Sequence, residues 1–121
     1  MKYYVDGFIV PVPKKKVEAY LRLAKLAGKV WLKHGALEYQ ECIADDVKMG
    51  KLTSFPRSVK RKPSETVFFS WIIYKSRAHR DSVLKKVMKD PLMANMCHDA
   101  MPFDGKRMIY GGFKSMVAMK K

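Results

Sequence analysis

The sequence predicts a layered α+β domain in which one central strand leads directly into a helix. Residues 66–74 form the most apolar and aromatic run of the chain and contain no Gly or Pro. Such a run is typical of a strand buried on both faces. Over residues 77–89 the apolar side chains recur at helical spacing, and Ser76 stands where a helix N-cap is expected.

Length and composition predict a single domain. The 121 residues, of which 48% are hydrophobic, are enough for one core. No apolar run reaches the roughly 18 residues that span a bilayer, and Asp6 and Gly7 stand where a signal peptide would be apolar. Cys42 and Cys97 lack metal-ligand spacing and are expected to be reduced, buried small hydrophobes. We therefore expect a cytoplasmic protein with no membrane partner, metal or cofactor.

The net charge is unusually high for a chain of this size. The 25 Lys and Arg residues against 11 Asp and Glu residues give +14 at pH 7. Such a field attracts nucleic acid or anionic metabolites. The alternative is that the cations are solvated faces that maintain solubility. They are spread along the chain, with one concentration at Arg57, Lys60, Arg61 and Lys62.

The first half of the chain predicts a strand, a long helix, a second strand and a long loop. Residues 3–12 form the first strand, and residues 14–34 a helix with apolar residues three and four apart, which Gly35 ends as a left-handed cap. Residues 36–44 alternate in polarity and predict the second strand, although Glu41 interrupts its apolar series. Residues 45–65 lack periodicity, and a loop this long in a small domain is more often functional than incidental.

The second half predicts the central strand, two helical segments and a last strand. Pro91 ends the helix at residues 77–89, residues 92–97 predict one more turn, and residues 98–105 a loop. The last strand is predicted over residues 106–118. Gly111 and Gly112 in its middle predict a bulge or the close approach of another backbone or of a ligand.

The element order is therefore βαββαβ, the ferredoxin-like arrangement of a four-stranded antiparallel sheet with two helices on one face. Both alternating sets of side chains in the central strand are apolar, one comprising Phe68, Ile72 and Tyr74, the other Phe69, Trp71 and Ile73. The face without helices needs cover, and the simplest cover is a second copy of the same sheet. We expect a homodimer.

Six short motifs resemble one known family. They are YVDGF at residues 4–8, VPVP at 10–13, GALEY at 35–39, TSFP at 53–56, YKSRAHRD at 74–81 and MPFDGKRMIYGGF at 101–113. Together they resemble the YbaA-like proteins, domain-of-unknown-function family 1428, over essentially the whole chain. The resemblance implies a dimeric α/β barrel, in which two ferredoxin-like sheets face each other, and supplies no activity. Relatives of that fold include cofactor-free monooxygenases, haem-degrading enzymes, isomerases and sensor modules, so the fold leaves open whether the chain is an enzyme.

No strong catalytic motif is present: the sequence lacks a glycine-rich nucleotide loop, an HExxH zinc motif and a pair of CxxC motifs. His79, in the first turn of the second helix, is a candidate general base, because a helix N-terminus favours neutral imidazole. The alternative for His79 is packing on the sheet. His34, at the end of the first helix, is expected to have a structural role.

Four polar residues lie on four different predicted strands: Asp6, Glu38, Ser70 and Tyr110. If all four face away from the helices, they line the cleft between the two sheets of a dimer, with Trp71 or Tyr74 as apolar walls. A concave apolar site with a few polar groups is typical of a small-molecule pocket. Asp6, Glu38 and Tyr110 are then catalytic candidates beside His79.

The alternative is that Asp6 and Glu38 form salt bridges with Lys106 or Arg107 across the dimer and hold no ligand. A single bulge reverses the facing of every later side chain in a strand, so the sequence leaves both alternatives open.

The basic cluster at residues 57–62 is a candidate anion site. RNA recognition also needs exposed aromatic rings beside the charges, and Phe55 is the only aromatic residue of that loop. We expect Phe55 to dock and pin the loop while the four cations remain in water. The favoured function is the binding or conversion of a small, anionic molecule in the cleft, with nucleic-acid binding and a purely structural dimer as alternatives.

Overall fold

The computed structural model describes residues 2–96 and 101–121. The strands are β1 (Tyr4–Pro13), β2 (Glu38–Ile43), β3 (Glu65–Tyr74) and β4 (Ile109–Lys114). The helices are α1 (Val17–Lys33), the single turn α2 (Phe55–Ser58), α3 (Arg77–Lys89) and α4 (Pro91–Met96). The strands pair antiparallel in the order β2-β3-β1-β4. The predicted ferredoxin-like α+β fold is confirmed. Within the described ranges, no helix is long and apolar enough to cross a membrane.

The last strand is shorter than predicted. Residues 105–107 form a turn and β4 begins only at Ile109, because the Asp104 carboxylate accepts the Lys106 N–H at 3.0 Å and binds the Arg107 guanidinium at 2.8 Å. In the long loop, Ser54 caps α2 by accepting the Arg57 N–H at 3.1 Å. The predictions for Cys97, His98 and the loop through residue 100 lie outside the described residues.

Alternation along the paired strands decides which side chains face the helices. Tyr4 of β1 lies opposite Tyr74 of β3, and Val10 lies opposite Phe68. These side chains are buried: Tyr4, Ile72 and Tyr74 pack with Val30 of α1 and with Val83 and Val87 of α3. A second cluster joins Val10, Val12 and Phe68 to Tyr20 and Ala24 of α1. The helices therefore cover the sheet face that carries the even-numbered residues of β1 and β3.

The opposite sheet face is apolar and wet in the single chain. We call it the open face. It carries Val5, Ile9, Phe69, Trp71, Ile73, Ile109 and Phe113. Phe69, Ile109 and Phe113 are 42%, 43% and 64% exposed, while α1 and α3 lie on the other side of the sheet. The sequence predicted one apolar sheet face without helices, and the structure identifies the residues that form it.

Asp90 fastens the end of α1 to the junction between α3 and α4. Its carboxylate lies 2.7 Å from His34 Nε2 and 3.3 Å from Lys33 Nζ, and it accepts the Leu92 N–H at 3.0 Å. The hydrogen bond with His34, followed by the one from Leu92, holds the pKa of Asp90 down at about 2. His34 thus has a structural role, next to the predicted cap Gly35, whose φ is +115°.

Replacing Asp90 by Asn should destabilise the fold in a pH-dependent way. The pKa of the folded state, about 2, lies below the ordinary 3.8, so the contribution of the carboxylate is complete above about pH 5 and is lost as the pH falls towards 2. We expect the Tm difference between wild type and Asp90→Asn to be largest near pH 7 and to shrink in acid. The control is Asp46→Asn, an exposed loop residue. A difference that stays constant down to pH 3 contradicts this account.

Gly112 is required by its neighbour Tyr4. The pairing of β1 with β4 is continuous, so there is no bulge among the paired residues. An added Cβ at Gly112 would overlap the Tyr4 hydroxyl and lie 2.7 Å from Tyr4 Cε2. Tyr4 is only 7% exposed, and its ring lies 5.0 Å from the Arg80 guanidinium. The close contact at Gly112 is therefore with a side chain of the same chain, and the predicted close approach of another backbone or of a ligand stays a prediction.

Gly112→Ala should therefore lower the free energy of unfolding by about 1–3 kcal/mol, the usual cost of overpacking. Urea denaturation measures it, with Gly105→Ala as the control, because a Cβ at Gly105 meets its nearest atom at an ordinary 3.8 Å. Equal stabilities of the two variants would show that Tyr4 moves aside at no cost.

Candidate functional site

A cavity of about 180 Å³ lies between the sheet and α1. Its floor includes Phe8 and Ile72 of the sheet, and one wall is formed by Ala24, Ala27 and Trp31 of α1. Three methionines, at positions 93, 101 and 108, also line it. The small alanine side chains fall on the stripe of α1 that faces the sheet, which leaves room where larger residues would close the gap.

Three polar side chains meet in this cavity: Tyr20, Glu41 and Ser70. The Tyr20 hydroxyl lies 2.9 Å from each carboxyl oxygen of Glu41. Ser70 lies directly opposite Glu41 in the pairing of β2 with β3. Burial raises the pKa of Glu41, and the hydrogen bonds from Tyr20 and Ser70 oppose that rise. Burial and the nearby carboxylate also raise the pKa of Tyr20, so its phenol remains a donor.

Glu41 has no cation to neutralise it inside the cavity. Among the described residues of the lining there is no Lys, Arg or His. A carboxylate has about four acceptor sites, so Glu41 retains capacity for a further donor beyond Tyr20 and Ser70. The arrangement can accept a hydrogen bond or a proton from a bound molecule. In residues 2–96 and 101–121, no group of three or more His, Cys, Asp or Glu side chains could hold a metal ion.

Sequence reasoning did not select Glu41 or Tyr20 as site residues. Two signals were available: an acid that interrupts the apolar series of β2, and a tyrosine within the apolar stripe of α1. The pairing shows that Tyr39 and Glu41 share the helix-facing side of β2. Strand pairing is a property of the tertiary structure and cannot be derived from the pattern of apolar and polar residues within one strand.

The predicted cleft residues are divided between the two faces of the sheet. The pairing places Asp6, Ser70, Tyr74 and Tyr110 on the helix side, and Glu38 and Trp71 on the open face. The prediction that they line one cleft between two sheets is wrong, because Glu38 and Trp71 occupy the opposite phase of their strands. Of the six, Ser70 lines the cavity described above.

Asp6 belongs to a buried structural network. Its carboxylate pairs with Arg80 Nη1 at 3.2 Å and hydrogen-bonds Tyr74, whose hydroxyl also accepts the Trp31 indole N–H at 3.0 Å. Burial raises the pKa of Asp6, and the Arg80 guanidinium opposes that rise. The predicted alternative, a salt bridge from Asp6 to Lys106 or Arg107, is wrong for this residue, because its cation is Arg80 of the same chain.

Glu38, Tyr110 and His79 also lie outside the cavity. Glu38 accepts the Trp71 indole N–H at 2.8 Å on the open face, and Tyr110 is 72% exposed and stacks on Phe8. His79 Nδ1 accepts the Lys75 N–H at 2.9 Å, and its ring lies edge-on to Tyr74. These contacts favour the packing alternative for His79, which closes the turn between β3 and α3.

Two arginines of the basic cluster fasten the long loop. Arg57 donates to the carbonyls of Met49 at 3.0 Å and Gly50 at 2.8 Å, and Arg61 donates to the carbonyl of Glu65 at 3.0 Å. The expectation that all four cations remain in water is wrong for Arg61, which is half-buried, whereas Arg57 stays exposed while it binds the loop backbone. Lys60 and Lys62 are exposed, and an anion site there stays a prediction.

The expected docking of Phe55 is confirmed. Its ring makes an edge contact with Phe69 at 5.7 Å between centroids, which attaches the long loop to the open face. Cys42, on the same side of the sheet, is a half-buried free thiol.

Arg107 joins the long loop to one wall of the cavity. It pairs with Glu65 at 2.6 Å and Asp104 at 2.8 Å and donates to the carbonyl of Lys60 at 2.9 Å. The hydrogen bond from Arg107 lowers the pKa of the buried Glu65. Phe103 and Met108, which lie on either side of this anchor in sequence, line the cavity.

Comparison with solved structures supports the fold. A conserved protein of unknown function from Bacteroides thetaiotaomicron, described as a possible oxidoreductase, superposes with a TM-score of 0.54 at 13% identity, covering 94% of this chain and 97% of that one. A dimeric ferredoxin-like protein from an uncultured marine organism also has a TM-score of 0.54, at 12% identity over 99% of this chain and 98% of its own. At these identities the likeness is one of fold alone.

Comparison of sequences gives the family. The chain is 49% identical to the uncharacterized protein YbaA of Escherichia coli K12 over 114 residues, 94% of this chain and 97% of that protein. The YbaA protein of Shigella flexneri matches to the same extent. The family model described as a protein of unknown function, DUF1428, matches residues 3–105. The chain therefore belongs to the DUF1428 family, as its motifs indicated.

Proposed function

We propose that this protein binds a small, mostly apolar molecule in the cavity between the sheet and α1, and that Glu41 accepts a hydrogen bond or a proton from it. The observation that carries the proposal is a half-buried carboxyl group of raised pKa that faces an apolar cavity, with no cation in the described part of its lining. Buried carboxyl groups with perturbed pKa values cluster at functional sites. The proposed site lies inside each chain rather than in the predicted cleft between two sheets.

The volume of the cavity limits the size of the ligand. An apolar cavity of about 150 Å³ accommodates a benzene molecule, and this one measures about 180 Å³. A single ring with a small substituent therefore fits. The aromatic rings of Phe8, Tyr20 and Trp31 in the lining favour a flat ligand.

The charge of the cavity selects the polar group of the ligand. An anionic ligand would meet the Glu41 carboxylate in apolar surroundings that screen repulsion poorly. A neutral hydroxyl or N–H group, in contrast, donates to the free acceptor capacity of Glu41. We therefore replace the predicted anionic ligand by a neutral donor, of which phenol is the simplest example.

The same geometry supports proton abstraction as the first step of a conversion. A carboxylate whose pKa is raised by burial is a stronger base than an exposed one. The hydroxyls of Tyr20 and Ser70, which already bond to Glu41, hold its carboxyl group in place. The description of the Bacteroides protein as a possible oxidoreductase fits chemistry that begins with a deprotonated ligand.

Phenol and toluene test the proposal, because they share size and shape and differ in the hydroxyl donor. We expect wild type to bind phenol roughly tenfold more tightly than toluene, since a hydrogen bond to a charged acceptor contributes about 1.5 kcal/mol or more. Chemical-shift titration of backbone amides measures both affinities. In Glu41→Gln the preference for phenol should shrink. In Ala27→Leu, which fills the cavity, binding of both ligands should be lost.

Glu38→Gln is the matched control, because Glu38 lies on the same strand with its side chain on the open face. Equal binding of phenol and toluene by wild type, or undiminished binding by Ala27→Leu, would contradict the proposal. If Glu38→Gln weakens binding and Glu41→Gln does not, the ligand lies on the open face, as the sequence first suggested.

The second proposal concerns assembly: the chain pairs with a second copy through its open face, forming a dimeric α/β barrel. Exposed apolar patches of this kind are rare on monomers and mark interaction sites. Phe69, Ile109 and Phe113 all expose two fifths or more of their surface there. The structural neighbour from a marine organism is described as dimeric and ferredoxin-like.

A charge on the open face should separate the two chains. Phe113→Asp is expected to give a folded monomer in sedimentation velocity at about 10 μM, because an interface cannot bury an unpaired carboxylate cheaply. Met88→Asp on α3 is the matched control, since Met88 is also 64% exposed but lies away from the sheet, and it should remain dimeric. A wild-type chain that sediments as a monomer would refute this pairing.

A further inference from the structure

Two glycines leave a depression in the middle of the open face. Gly7 of β1 lies directly opposite Gly111 of β4 in the strand pairing, and both positions point to the open side. The concavity above them measures about 560 Å³. Its walls are formed by six apolar side chains: Val5, Ile9, Phe69, Trp71, Ile109 and Phe113.

Nothing in the described part of the chain requires glycine at these two positions. Neither has the positive φ found at Gly35 and Gly50. A Cβ at Gly7 would lie 4.0 Å from Phe113 Cε1, and one at Gly111 would lie 3.6 Å from the same atom, both ordinary van der Waals distances. Their neighbour Gly112 differs, because a Cβ there meets Tyr4.

Glycine in the interior of a strand is unfavourable, because it loses more conformational freedom on folding than any other residue and has no side chain to pack. Two such residues side by side therefore carry a cost that the single chain does not explain. Both glycines are explained if a group from outside the chain occupies the space above them.

We infer that this depression receives an apolar side chain from a second copy of the chain. The inference rests on the dimer proposed above and specifies the centre of its interface. A two-fold interface is self-complementary, so the same face must carry both the projection and the hole that accepts it. The open face carries both, since Phe69 and Phe113 project from it beside the two glycines. The lining has no charged group, which suits a side chain from an equally apolar face.

Gly111→Val tests the inference, because it fills the depression with a β-branched residue that suits a strand. We expect the dimer dissociation constant from sedimentation equilibrium to rise at least tenfold. Circular dichroism should show an unchanged fold. Lys114→Val is the matched control: Lys114 is an exposed residue of the same strand in the opposite phase, and its replacement should leave the dissociation constant unchanged.

The possible outcomes separate this inference from the proposals above. A monomeric wild type overturns the dimer and the inference together. If wild type is dimeric and Gly111→Val has the same dimer dissociation constant, the inference is overturned and the dimer stands. If Gly111→Val does not fold, the double variant Gly7→Ala, Gly111→Ala replaces it, because the added Cβ atoms meet only ordinary contacts, and the same rise is expected.

A small molecule in the depression is the remaining alternative occupant. Native mass spectrometry of the purified dimer distinguishes it. A retained ligand that is lost in Gly111→Val while the dimer persists would overturn the inference. The phenol titration reports on the other side of the sheet, and it should be unaffected by Gly111→Val.

Discussion

The register of β1 against its two neighbours is the constraint on which the rest of the structure depends. With Tyr4 opposite Tyr74 and Gly7 opposite Gly111, every side chain of the sheet is assigned to the helix layer or to the open face. A slip of one residue would place Asp6 on the open face and Val5 against the helices. The register is fixed because the even-numbered side chains of β1 and β3 pack into two clusters with α1 and α3, and the burial of those side chains opposes a slip.

The same register turns two carboxyl groups towards the helices, Asp6 buried and Glu41 half-buried, and their surroundings give them different roles. Asp6 meets the guanidinium of Arg80 at 3.2 Å, so its charge is paired and the residue stabilises a network with Tyr74. Glu41 meets hydroxyl groups only. An ionised group without a counter-ion in an apolar cavity is a cost to folding, and a protein that maintains one can use it on a ligand. That difference, rather than burial itself, marks Glu41 as the functional candidate.

The spacing of apolar residues and the positions of glycine, proline and capping residues were enough to predict the elements, their order and the need to cover a second apolar face. These features depend only on residues that are close together in the sequence. The candidate site could not be predicted in the same way, because it depends on how the strands pair. Asp6, Glu38, Ser70 and Tyr110 were grouped by type, and strand pairing separated them. Glu41 became significant only when the pairing placed it beside Ser70 and opposite Tyr20 of α1. The sequence did not predict that Arg57 and Arg61 donate to backbone carbonyls of the long loop, because a backbone carbonyl leaves no signal in the sequence.

The two proposed functions lie on opposite faces of the sheet and share one set of strands. The proposed ligand cavity lies between the sheet and α1 of one chain, and its acid, Glu41, needs no residue from a partner. The depression on the open face has no charged group in its lining but contains two glycines, Gly7 and Gly111, that no contact within the described part of the chain requires. Because neighbouring residues of a strand point to opposite faces, Gly7 lies between two helix-facing residues, Asp6 and Phe8, of which Phe8 lines the cavity. Pairing of two copies would contact that strand from the open side only, so a change at the interface would leave the side chains of the ligand site in place, and each proposed function can be tested without disturbing the other.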